Sequence, residues 1–182
     1  RSFFDINGKN LTIGGIQTYI RQLCRLIIKI GAQPIIVQFS NVNFQRNFGK
    51  IKVYGVKVLK ERKDFNKSKI AIRFIKKLYN EGDVIIFGSE DIFVPVKFTE
   101  NVIVIQHGIT WDKPVIKKNG LKKLISYSLI GNLALKYINS YRRLKTLKKI
   151  NHLVCVDHNF LNYLRTQLDC LSFQTYVIPN ST

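Results

Sequence analysis

Three short stretches of this chain carry residue types suited to ligand chemistry. Gly14-Gly15 stands just before an amphipathic run. Paired glycines let a backbone turn tightly and approach a ligand closely, and a helix N-terminus offers free N–H groups and positive potential to a phosphate. A plain turn with a helix start reads the same way. The second stretch is Gln106-His107-Gly108, which directly follows the apolar run 102–105. An imidazole there can exchange a hydrogen bond with a sugar or phosphate oxygen and changes charge near neutral pH; a histidine bonded to a neighbouring carbonyl is the plainer alternative. The third is Asp157-His158, after another apolar run, where Asp also reads as a helix cap. His107, His158 and the cysteines lack zinc-like spacing, so no metal site is expected.

Charge is the other chemical signal. The 182 residues include 30 Lys/Arg against 11 Asp/Glu, a net charge of +19. Such a field attracts phosphate on nucleic acid, anionic lipid or a phosphorylated ligand. Residues 113–149 hold eleven Lys/Arg and no acidic residue, with Tyr127, Tyr137 and Tyr141 among them. A basic amphipathic helix with aromatics suits an anionic membrane surface; a solvated basic face whose apolar stripe lies in the core is the alternative. The expected contacts are Lys117, Lys118, Lys122, Lys123, Arg142 and Arg143. No apolar run approaches the ~20 residues needed to cross a bilayer. Cys24, Cys155 and Cys170 form no C-x-x-C pair and read as reduced, buried thiols of a cytosolic protein.

These residues must be held by regular elements. Ile16, Ile20, Leu23, Ile27 and Ile30 recur at helical spacing, and Gly31 is a stop. Strands are expected at 34–39, 51–59, 84–87, 102–105, 153–156 and 176–178, with a bend at Gly55. Residues 41–50 read as a polar loop, and Asn7-Gly8-Lys9-Asn10 as a turn after a strand end at Phe3-Phe4. A second helix is expected over 68–80, with Ser68 as N-cap and Ile70, Phe74 and Leu78 inward. Residues 120–149 read as one long or two broken helices, with a stripe of Ile130, Leu133, Tyr137, Tyr141 and Leu144 and a kink at Gly131. A last helix is expected over 159–168. Alternating strands and helices, with strands rich in Val and Ile, predict an α/β fold: a doubly wound, mainly parallel sheet with helices on both faces. Its ligand edge lies beyond the carboxyl ends of the strands.

The order of these segments resembles the N-terminal half of a retaining GT-B glycosyltransferase of the family-4 type, which builds bacterial polysaccharides and glycolipids. Gly14-Gly15-Ile16-Gln17 matches its GG-x-[EQ] loop, and Asp83-Val84-Ile85-Ile86 its D-hydrophobic-hydrophobic strand. Gln106-His107-Gly108 matches the His-Gly pair after the next strand. LVCVD matches a strand that usually ends in Ser, with Asp157 in its place, and Val177-Ile178-Pro179-Asn180 matches V-I-P-N-G with Ser181 for the glycine.

The resemblance implies a hexosyl-transferring enzyme of two Rossmann-like domains. This chain would be one Rossmann-like, acceptor-side domain over 1–182, inactive alone, the nucleotide-sugar domain lying outside it. A chain that starts at Arg1 and contains no Met is itself expected to be a piece of a longer protein. By the resemblance, Gly14, Gly15 and Gln17 would lie near the donor phosphates and His107 beside the reacting sugar. A glycan or lipid-linked acceptor would meet Gly108, Ser89, Glu90 and Lys113. No cofactor or metal is expected, the nucleotide-sugar being a substrate, and the protein would sit in the cytoplasm against the inner face of the membrane. A basic α/β module that binds nucleic acid or anionic lipid without catalysis is the competing reading. It has no RNP, KH or zinc-finger signature behind it, so no nucleic-acid partner is expected. The chain lacks the G-x-G-x-x-G spacing of dinucleotide enzymes.

Overall fold

A computed structural model describes residues 3–58, 64–107, 129–168 and 172–179. The chain divides into two compact units, 1–101 and 102–182.

The first unit opens with a tight hairpin. Phe4 bridges Leu11 in antiparallel sense, and the Asp5 N–H donates to Asn10 O at 2.7 Å. The Asp5 carboxylate accepts from the N–H groups of Asn7, Lys9 and Asn10. The Lys9 N–H is the chief cause holding this carboxyl below its ordinary range; desolvation opposes it, and Asn10 and Asn7 reinforce it. The turn expected at 7–10 is there. Phe3-Phe4, expected to end a strand, makes only this isolated bridge. Beside it, the Gln38 side chain stands in for a neighbouring backbone: Phe4 N–H donates to its Oε1 at 2.8 Å and its Nε2 donates to Phe4 O at 3.1 Å.

Helix α1 (Gly15–Lys29) follows, then strands β1 (Ile35–Ser40), β2 (Phe44–Phe48) and β3 (Ile51–Lys57) in the order β1-β3-β2. β1 and β3 are parallel, whereas β2 pairs antiparallel with β3. This corrects the loop expected at 41–50. The segment FQRNF is largely exposed, so it lacks the apolar alternation that marks a strand. Its pairing is set by the Gly49-Lys50 turn, where Gly49 takes a φ of 57°, and by Phe44 opposite Gly55. A Cβ on Gly55 would overlap the Phe44 ring, so this glycine admits an aromatic ring rather than a bend.

Phe3, Phe4, Cys24, Ile51 and Val53 form a core cluster with Ile20, Ile28, Ile36 and Phe44 against it. α1 thus buries the line 20-24-28, turned from the predicted stripe, and Ile30 at its end is 81% exposed. Successive strand residues point to opposite faces. Val53 belongs to the cluster around Cys24 of α1, while Tyr54 meets Phe74 of helix α2 (Asp64–Leu78) with ring centroids 5.5 Å apart. α2 starts four residues earlier than predicted, which places Ser68 inside it, buried, and not at its cap. Strand β4 (Ile85–Phe87) leads to a single 3-10 turn at Glu90–Ile92.

The second unit runs β5 (Val102–Gln106), α3 (Leu129–Leu147), β6 (His152–Cys155), α4 (His158–Gln167), β7 (Gln174–Val177). Its strands are parallel in the order β5-β6-β7, as their Val/Ile content predicts. Leu153 and Leu164 are fully buried, each burial contributing about 1.5–3 kcal/mol. The protein is therefore α/β with parallel strand pairing and flanking helices. Gly131 lies inside α3 near its start, and residues 108–128, including the first part of the helix expected at 120–149, lie outside the described residues.

Candidate functional site

In the first unit, Gly14 is the N-cap of α1, with φ 170° and ψ 166°, an extended backbone open to any residue. The helix starts without a side-chain cap and without an acidic residue in its first turn. The Thr18 N–H donates to Gly14 O at 2.9 Å, leaving the preceding N–H groups of the first turn outside the helical ladder. Among the described residues, a Cβ on Gly14 would meet the side-chain amide of Gln17, Oε1 first, which is the movable end of a side chain, and one on Gly15 would meet nothing within 4 Å. Among the described residues, neither strain nor packing demands glycine at these two positions. The loop after β4 lies close by: a Cβ on Gly88 would touch Ile20 Cδ1 of α1 at 3.3 Å. Ser89 and Glu90 are buried, and Ser89 Oγ donates to Glu90 Oε2 at 3.4 Å.

In the second unit, the tails of β5 and β6 lie side by side. Gln106 pairs with Cys155 in register, and the Val156 N–H donates to Gln106 O at 3.2 Å. Just beyond this pair come His107, half-buried, directly after β5, and Asp157, two residues after the end of β6. Asp157 caps α4, its Oδ1 accepting from the Phe160 N–H at 2.8 Å, so its carboxylate serves the helix start. His158 is exposed on the first turn. His152, at the opposite end of β6, stacks on Tyr176 with centroids 6.3 Å apart. The Cys155 thiol is pushed up to about 11 by burial and, secondarily, by the Asp157 charge; burial alone raises Cys24 to about 11. Both remain protonated and poor nucleophiles at neutral pH.

Reading the sequence as a motif missed the most unusual group here. Gln106 is fully buried, and among the described residues neither its Nε2 nor its Oε1 has a hydrogen-bond partner. A buried side-chain amide left so costs about 1–3 kcal/mol, and native chains keep few of them.

Of the other predicted positions, Gly108, Lys113, Lys117, Lys118, Lys122 and Lys123 lie outside the described residues, as does Cys170. Arg142 is exposed on α3, and Arg143 belongs to the same helix. Gly14, Gly15, Gln17, Ser89 and Glu90 belong to the first unit and His107 to the second. Among the described residues, no group of three or more His, Cys, Asp or Glu could hold a metal ion, and no helix is long and apolar enough to cross a membrane. No protein-family model, curated protein or solved structure matches the chain.

Proposed function

We propose that this chain is the acceptor-side half of a GT-B, family-4-type retaining glycosyltransferase, doubly wound, working at the cytoplasmic face of a membrane. The observation that carries the reading is His107 at the tail of β5, the first strand of a parallel β-α-β-α-β unit, one residue beyond the Gln106 amide. It is supported by an uncapped helix start at Gly14-Gly15 that no contact among the described residues obliges to be glycine. In the reaction, an acceptor hydroxyl takes the sugar from a nucleotide-sugar, and a nucleoside diphosphate and a proton leave. His107 would hydrogen-bond the sugar as its bond to phosphate breaks. By the family resemblance, the Gly14-Gly15 helix start would serve the diphosphate, where negative charge grows and preorganised donors are most effective. Most donor contacts would come from a second domain outside this chain, so the chain alone transfers no sugar.

The test is His107→Ala in a complete enzyme, assayed by nucleoside diphosphate release. Turnover is expected to fall by about 10²-fold or more, as for removal of a positioned proton-transfer or oxyanion group. Near-normal turnover would remove His107 from the mechanism. The +19 charge favours one other reading, a nucleic-acid-binding module. Tight binding to single or double strands that persists at moderate salt would support that reading instead.

A further inference from the structure

The apolar stripe of α3 does not face the core. Ile130 is 82% exposed, Leu133 58%, Tyr137 74% and Tyr141 58%. Residues at these three- and four-residue intervals share one helix face. Leu147, off that face, is buried and Leu144 is half-buried, so the helix is anchored by its last turns while its first three present apolar side chains to solvent. Lys145 and Lys148 continue the exposed line beyond Tyr141, and Arg142 and Lys149 flank it, all exposed. No acidic residue occurs between 113 and 149.

We infer that this face of α3 is a docking surface for an anionic lipid bilayer, with Ile130, Leu133 and Tyr137 entering the acyl boundary and the basic last turn resting on phosphates. The occupant follows from charge and shape together. An apolar line of roughly 16 Å, from 1.5 Å rise per residue, is long enough to lie in the interface plane and far too short to cross it. Two tyrosines on the line suit the headgroup level, where an apolar ring and a polar hydroxyl are both satisfied. Lysines and arginines with no acidic neighbour would repel a second copy of the same face. On lipid they gain attraction that a neutral apolar partner would not supply. The inference rests on the proposed membrane attachment and not on the sugar chemistry; to the basic contacts expected from the sequence it adds an apolar contact on the helix itself.

The experiment uses the whole chain in a Trp111→Phe/Tyr137→Trp variant, which makes residue 137 the only tryptophan. It is mixed with vesicles of phosphatidylcholine alone, or with phosphatidylglycerol added, carrying lipids brominated in the upper acyl chain. Binding to the anionic vesicles with a blue shift and bromine quenching is expected, and Leu133→Asp should weaken that binding about tenfold or more. Binding without quenching would keep the attachment and overturn insertion by α3. Failure to bind anionic vesicles would overturn both. A dimer in solution that Leu133→Asp dissolves would assign the face to a second copy. A tryptophan response to single-stranded RNA and none to vesicles would assign it to nucleic acid. Either of these last two results overturns the inference.

Discussion

At Gln106, a carboxamide is sealed in the parallel sheet of the second unit, and among the described residues neither of its polar atoms finds a partner. Replacing such a group by an apolar one of similar shape removes the desolvation cost without leaving a partner stranded. Gln106→Leu is therefore expected to stabilise the chain by about 1 kcal/mol, read as a higher urea midpoint at unchanged slope. A lower midpoint would show that the amide is satisfied in solution. His107 was legible from the sequence because it follows a Val/Ile run. The unsatisfied state of Gln106 was not, because burial and partners belong to the folded neighbourhood and not to residue type.

Elements formed by strong local patterns were legible; those formed by one specific contact were not. Val and Ile runs located β1, β3, β5 and β6 to within a residue or two, and Asp157 showed itself as a cap. β2 was hidden because its pairing depends on Phe44 lying over Gly55, a relation between residues eleven apart in sequence. Periodicity marked the stripe of α3 but carries no information on which way a stripe faces. The Phe44–Gly55 contact has a direct test. Gly55→Ala is expected to cost about 1–3 kcal/mol by overpacking, measured by denaturant titration. In a Phe44→Ala background the same change should cost clearly less, since the two residues share one space. Equal costs in both backgrounds would mean that the glycine answers to its backbone alone.

Across the whole molecule, 30 basic residues outnumber 11 acidic ones, and like charges held in a folded chain repel. Raising ionic strength from about 0.01 M to about 0.15 M shortens the screening length from roughly 30 Å to roughly 8 Å. The melting temperature is expected to rise over that interval by a few degrees; a fall would show that favourable ion pairs outweigh the repulsion. The bond between Gln38 and Phe4 bears on a different property. A side chain performs there the work of a strand, so at Phe4 the first hairpin is joined to β1 by a residue whose loss leaves every ladder bond of β1 with β3 in place, while Ile6 O is held separately by Ser40 Oγ and the Asn41 N–H. Its amide protons thus have an opening route of their own. Deuterium should enter at Phe4 through a small local fluctuation while Val53 stays protected until far more of the unit opens, and Gln38→Leu should accelerate the first exchange much more than the second.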